Sequence, residues 1–286
     1  MSIETVPLPG YHLEGRAGAP VIAALGGISA NRHAATWWRG TAGPGAALDP
    51  GRYRLLGVDY ADGGCDPRGF PERPVSTHDQ ATLLASALDD AGVEKLHALV
   101  GASYGGMVAL AFAERFPDRL ERLVVIGAAH RAHPMTSALR LVQRRIVELG
   151  LANGEPREAL AIARALAVTT YRSADEFATR FHSLAALDDY LRAHGERFAA
   201  RFSPARYLAL SLSADTHVVD PARITTRATL VSIQNDAVVP RRQVEELAAL
   251  LSAPVRLAHL RSPKGHDGFL TQHADLAPIL SLAIDA

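Results

Sequence analysis

Six short apolar runs, separated by stretches of helical periodicity, limit this chain more than any other feature. They are Val21 to Leu25, Arg54 to Asp59, His97 to Val100, Leu123 to Ile126, Thr229 to Ile233 and Val255 to Leu260. Most are apolar nearly throughout and do not alternate, the pattern of strands covered on both faces, as in a parallel sheet. Between them lie helical segments with readable ends. In Thr77 to Ala91, Thr77 is read as the N-cap, Gln80 completes a capping box and Gly92 follows the end. Tyr104 to Phe116 is stopped by Pro117, and Pro240 to Leu251 opens on a proline in the first turn. Strands alternating with such helices give an α/β protein with a mostly parallel, doubly wound sheet.

From about residue 132 to 222 the alternation stops. "TSALRLVQRRIVELG", "PREALAIARALAV", "ADEFATRF" and "LDDYLRAHGERFAARF" follow one another with helical patterns and no clear strand. This segment is read as an inserted helical cap, with residues 1–131 and 223–286 forming the core. The cap would cover the C-terminal edge of the sheet, where open α/β sheets bind ligands.

The chain has 286 residues, 48% of them hydrophobic, enough for a large core and compatible with one domain carrying an insertion. Thirty basic residues balance thirty acidic ones, which leaves no electrostatic footprint for nucleic acid or an anionic membrane surface. Small molecules are the expected partners. Cys65 is the one cysteine, so no intrachain disulfide framework or thiolate metal cluster is available. The stretch "MSIETVPLPGYHLEG" has no apolar core of a secretory signal, and no apolar run reaches the roughly 20 residues of a membrane span. A soluble, cytoplasmic protein is the expectation.

The chemistry is carried by "GASYGG", residues 101–106, which fits G-x-S-x-G between a strand and a helix. Gly101 and Gly105 permit a sharp turn with Ser103 at its apex, so the motif is either a tight turn or a nucleophile elbow. A serine nucleophile needs a base oriented by an acid, in the chain order Ser, Asp/Glu, His. "SIQNDAVVP" places Asp236 just past one strand, and "RSPKGHDGFL" places His266 just past the next. Three matched roles favour a Ser103, His266 and Asp236 triad. The oxyanion would face the N–H of Tyr104, directly after the nucleophile, and the N–H of Ile28 in the glycine-rich "LGGISANRH". His130 with His133, Asp215 with His217, His33 and Cys65 are read as packing or solvated residues, and no metal site is expected.

The longer segments around these residues resemble the homoserine O-acetyltransferase family of the α/β-hydrolase fold. "TWWRGTAGPGAALDPGRYRLLGVD" is similar to the family's paired-tryptophan segment, "VGASYGGMVALAFAERFPDRLERLVVIGAAHR" to its elbow, "EALAIARALAVTTYRSADEFATRF" to its first cap helix and "SPKGHDGFL" to its histidine loop. The resemblance implies a two-step acyl transfer from acetyl-CoA or succinyl-CoA, acetyl slightly favoured, to L-homoserine for methionine synthesis. It makes Ser103 the acyl carrier, Arg164 the group that holds the homoserine carboxylate and Asp267 the one that holds its amino group. It also implies a homodimer through the cap, with acyl-CoA as a co-substrate and no permanently bound cofactor. "YADGGCDPRGF" is shorter than the family's loop, and "DAVVPRR" offers Arg241 and Arg242 near the acid as possible receivers of a second carboxylate. An esterase or lactonase on the same triad, a serine O-acyltransferase and a non-catalytic binding protein are the alternatives.

Overall fold

Six of the seven strands of the sheet point their C-terminal ends, and the loops that follow them, to one side. The computed structural model describes residues 10–285. Most of the stretch read as lacking a secretory signal, residues 1–9, lies outside the described residues, as does residue 286. The elements run β1 (Tyr11–Gly15), β2 (Val21–Leu25), α1 (Ala34–Trp37), β3 (Arg54–Val58), α2 (Thr77–Asp90), β4 (Ala98–Ala102), α3 (Tyr104–Arg115) and β5 (Leu123–Ile126). Five helices follow: α4 (Pro134–Ala152), α5 (Pro156–Tyr171), α6 (Ala174–Arg180), α7 (Leu184–Ala199) and α8 (Pro204–Asp215). The chain closes with β6 (Ala228–Ile233), α9 (Arg241–Leu250), β7 (Val255–Leu260), α10 (Gly268–Thr271) and α11 (His273–Asp285).

The seven strands lie in the order β1-β3-β2-β4-β5-β6-β7. All neighbours are parallel except β1, which pairs antiparallel with β3 from Tyr11 opposite Val58 to Gly15 opposite Arg54. All six apolar runs form strands, with ends shifted by up to two residues. The missed strand, β1, reads "YHLEG" and is half-exposed along its length, so it has no continuous apolar run to betray it. At the other edge β7 is largely exposed despite its apolar run, because only one side has a neighbouring strand.

One face of the sheet packs a core that includes Leu56, Leu99, Val108 and Phe112, and the other packs Ile22, Val100, Ile126 and Leu280. The capping of α2 corrects the sequence reading by one residue. Ser76 is the N-cap and forms the box with Asp79, whereas Thr77 and Gln80 are turned inward. The Gln80 amide donates to Ala61 O at 2.7 Å and accepts from Ala61 N at 3.0 Å, so burial with full hydrogen bonding outweighs the local capping preference. Similarly, Pro240 caps α9 from outside and is not part of its first turn.

The five helices α4 to α8 leave the sheet after β5 and return before β6. Arg131 bridges Val218 at the neck, and Val219 N–H donates to His130 O at 3.0 Å. Helix α8 has two jobs: Leu210 and Ala214 join the main core, while Tyr207 and Leu208 build a small separate cluster with Val147, Leu160 and Ala163. Among the described residues no helix is long and apolar enough to cross a membrane.

Candidate active site

Ser103 occupies the turn between β4 and α3 with φ 53° and ψ −120°, a conformation that non-glycine residues avoid. Holding it there costs on the order of 1–3 kcal/mol, so the surroundings must over-determine it. They do: Ser103 N–H donates to Ile126 O at 2.8 Å, and its carbonyl accepts from Gly106 and Met107 at 2.9 and 3.1 Å. Gly105 is required by close approach, since a Cβ there would lie 2.5 Å from Gly26 O. Its N–H donates to that same oxygen at 3.0 Å, and Tyr60 Oη donates to it at 2.7 Å. The loop after β2 is therefore fastened against the elbow. Tyr104 N–H is an orphan donor at the first position of α3, and Ile28 lies two residues past the fastened Gly26.

The base and acid come from the ends of the next strands. His266 Nε2 accepts from Ser103 Oγ at 2.8 Å, and Nδ1–H donates to Asp236 Oδ2 at 2.7 Å. The other carboxylate oxygen accepts from Val238 and Val239 N–H, both at 2.8 Å, so Asp236 is held in one orientation. Asp236 and His266 are buried, at 7% and 3% exposure. Burial alone would push the imidazole pKa down. The charge and hydrogen bond of Asp236, helped by the charge of Asp267, outweigh it and leave His266 above its ordinary value. Gly265, at φ +62°, lets this loop abut the cap: a Cβ would lie 2.9 Å from Asn235 O and 3.2 Å from Ser173 N.

This contact joins the base to the end of α5. Ser173 Oγ donates to Pro263 O, and the Tyr171 ring lies 5.9 Å from that of His266. Arg164 is two turns back on α5, with its guanidinium 5.1 Å from the Tyr171 centroid and 4.7 Å from that of Phe198. Among the described residues no carboxylate pairs with it. Asp267 does have a protein partner: Arg172 Nε is 3.1 Å from its Oδ2. Burial raises the Asp267 pKa, against the pull of Arg172, His266 and Arg164. Tyr171 and Arg172 are thus the site residues that the sequence reading passed over. Their one signal was position, directly after a helix already aligned with the site.

The remaining candidates fall elsewhere. Arg241 pairs with Glu245 at 2.7 Å on the surface, and Arg242 is exposed. Asp215 is bound by Arg140 and Arg144, at 2.6 and 2.5 Å, and not by His217. His217 is buried between Thr77 Oγ1 and Ala129 O. His130 is buried beside Arg131, while Cys65 is exposed. No group of three or more His, Cys, Asp or Glu among the described residues is arranged to hold a metal ion.

A cavity of about 610 Å³ opens between the loop after β2 and helices α5, α7 and α8. Ser29, Asn31 and Trp37 line its core side, and Arg164 and Phe198 its cap side. A larger hollow of about 810 Å³ lies between α5 and α7, and neither space is lined by Ser103, His266 or Asp236 themselves. The smaller one adjoins the triad through Arg164, which lies on the Tyr171 ring that faces His266.

A serine in a strained strand-to-helix turn, hydrogen-bonded to a histidine that an aspartate orients, defines an α/β-hydrolase-type site. The α/β hydrolase fold family matches residues 20–272. The chain is 40% identical over 293 residues to the homoserine O-succinyltransferase of Xanthomonas campestris pv. campestris, covering 96% of this chain and 78% of that one. It is 34% identical to the homoserine O-acetyltransferase of Thermus thermophilus, covering 85% and 70%. The solved structure of homoserine O-acetyltransferase from Bacillus anthracis shares the fold, with a TM-score of 0.85 at 16% identity over 96% of this chain and 91% of that one. The chain belongs to the homoserine O-acyltransferase family, a family of acyltransferases within the α/β hydrolases.

Proposed function

We propose that the protein transfers an acyl group from acyl-CoA to the hydroxyl of L-homoserine through an acyl-Ser103 intermediate. The observation that carries this reading is the placement of His266: it touches Ser103 and Asp236 on one side and packs against Tyr171 at the end of α5 on the other.

In the first half-reaction His266 Nε2 takes the Ser103 proton as Oγ attacks the thioester carbonyl. The tetrahedral oxyanion is held by the N–H groups of Tyr104 and Ile28. The C–S bond then breaks, and the CoA sulfur leaves with the proton from Nε2. In the second, homoserine enters with its carboxylate on the guanidinium of Arg164 and its ammonium at Asp267. His266 removes the hydroxyl proton, the new ester forms, and Ser103 regains its proton as it departs. Water at roughly 55 M would compete for the acyl-enzyme, and the cap, residues 132–222, serves to exclude it. The product is an activated homoserine ester of use in methionine synthesis.

The sequence slightly favours acetyl-CoA, whereas the Xanthomonas relative's name supports succinyl-CoA. Exposing the protein to each donor and weighing the Ser103 peptide by mass spectrometry separates them. The reading as a whole is tested by following free thiol from acyl-CoA with and without L-homoserine. Release that ignores homoserine, L-serine and other acceptors would point to an esterase and end the transferase reading. Arg164→Ala should slow the second half-reaction and spare formation of the acyl-enzyme. Equal loss in both would remove Arg164 from the acceptor site.

The cap also supports a second copy of the chain. On α4, Met135, Val142 and Leu149 recur every seventh residue and are 62%, 47% and 65% exposed, with Leu141 beside them. Such a stripe is suited to helix-on-helix association.

A further inference from the structure

The 610 Å³ cavity that adjoins the triad through Arg164 and Tyr171 holds more positive charge than the proposed acceptor needs. Arg164, Arg197, Arg201 and Arg206 all line it, together with His194. Its one carboxylate, Asp59, is taken by Arg32 at 2.7 Å. Arg164 is assigned to the homoserine carboxylate. Arg206 is part-buried, donates to Tyr60 O at 2.6 Å and lies 3.5 Å from Asp62. Arg197 and Arg201 stand exposed at the outer rim, and neither has an ion-pair partner among the described residues.

The cations are also arranged in depth. Arg164 is the inner one, linked through Tyr171 to His266. Beyond it Phe198 and Phe202 stack at 4.6 Å, with the Arg164 guanidinium over one ring and that of Arg206 over the other. A guanidinium lying on a ring keeps its in-plane N–H donors free for an anion. The local potential shows in His194, which burial first, and then Arg197, Arg164, Arg172 and Arg180, push down to about 4. It is therefore neutral near pH 7 and adds no charge of its own.

Resting on the acyl-CoA reading above, we propose that Arg197 and Arg201, with Arg206 behind them, form the subsite for the phosphate-bearing nucleotide end of the acyl-CoA donor. The nucleotide end, with its diphosphate and ribose phosphate, is the strongly anionic part of that molecule. The uncharged pantetheine arm would pass inward between Trp37 and the two phenylalanines toward Ser103.

The test compares acyl-CoA with the matching S-acylpantetheine, which carries no phosphate, in the native protein and in the Arg197→Ala/Arg201→Ala double variant. The expected result is that the preference for acyl-CoA over S-acylpantetheine, as a ratio of kcat/KM values, falls roughly 10-fold at low ionic strength, mainly through KM for acyl-CoA. The native preference should also weaken as salt is added. An unmoved ratio, from equal losses with both donors or from none, overturns the assignment. A loss seen with succinyl-CoA but not acetyl-CoA also overturns it, since it would place the arginines on the acyl carboxylate. Para-nitrophenyl acetate reports the serine separately. A burst of nitrophenol with no thiol release from acyl-CoA in the native protein sinks the acyl-CoA reading and this subsite with it. Thiol release that persists with the donor ratio unmoved sinks the subsite alone.

Discussion

Arg172 Nε lies 3.1 Å from Asp267 Oδ2, so the carboxylate next to His266, the proposed base, is shared between the segment after α5 and the loop after β7. This pairing ties together two residues assigned to opposite parts of the molecule. It also leaves Asp267 an oxygen with which to receive an ammonium group.

Asp267→Asn should therefore change two quantities. Asp267 is one of the charges that hold the His266 pKa up. Removing it lowers that pKa, so the acid limb of the pH–rate profile, which needs neutral His266, moves to lower pH. The acceptor should suffer as well, with kcat/KM for homoserine down roughly 10- to 100-fold, the worth of one charged hydrogen bond. An acid limb that stays put or moves up would contradict the electrostatic role.

Ser103→Ala and Ser103→Gly should both abolish acyl transfer, yet differ in stability. Alanine keeps the strain of φ 53°, whereas glycine adopts it freely. Thermal unfolding should show the glycine variant more stable than the alanine variant by about 1 kcal/mol.

His217 makes stability depend on pH. Its Nε2–H donates to Ala129 O and its Nδ1 accepts from Thr77, so the folded protein needs it neutral. Burial, reinforced by His78 and His130, brings its pKa down to about 3, against 6.5 when unfolded. The folded-state value is depressed, so stability is complete above pH 6.5 and is lost as pH falls toward about 3. The loss from this one proton approaches about 1.4 kcal/mol per pH unit. Denaturant melts of His217→Gln should show a shallower decline over that window.

The exposed stripe on α4 predicts a dimer that a single charge disrupts. Val142→Glu should shift the species seen by light scattering from dimer to monomer while leaving far-ultraviolet circular dichroism unchanged. A native protein that is monomeric at every concentration tried would mean that α4 faces solvent.

Much of this was legible in the sequence because parallel strands and their helices leave strong local marks. Leu123 to Ile126 and Val255 to Leu260 were delimited to the residue, and order and context picked out Ser103, Asp236 and His266, which the fold links by hydrogen bonds through the histidine. What escaped depends on neighbours distant in the chain. The strand Tyr11–Gly15 exists because Arg54–Val58 offers it an edge. Thr77 lost the cap to Ser76 because His217, 140 residues away, draws its hydroxyl inward. Arg172 becomes a site residue only when the turn at Gly265 brings Asp267 to it.

The neck of the cap has a consequence for how the chain reaches this structure. Arg131 and Val218 meet across a detour of about 90 residues, while the strands on either side, β5 and β6, are direct neighbours in the sheet. Because loop-closure entropy grows only with the logarithm of length, closing so long a detour costs only about 2 kcal/mol more than closing a ten-residue loop. The burden is kinetic: β6 must find β5 across a long intervening segment, a high-contact-order step. The slow phase of refolding should therefore be the one in which the serine, aspartate and histidine loops first come into register.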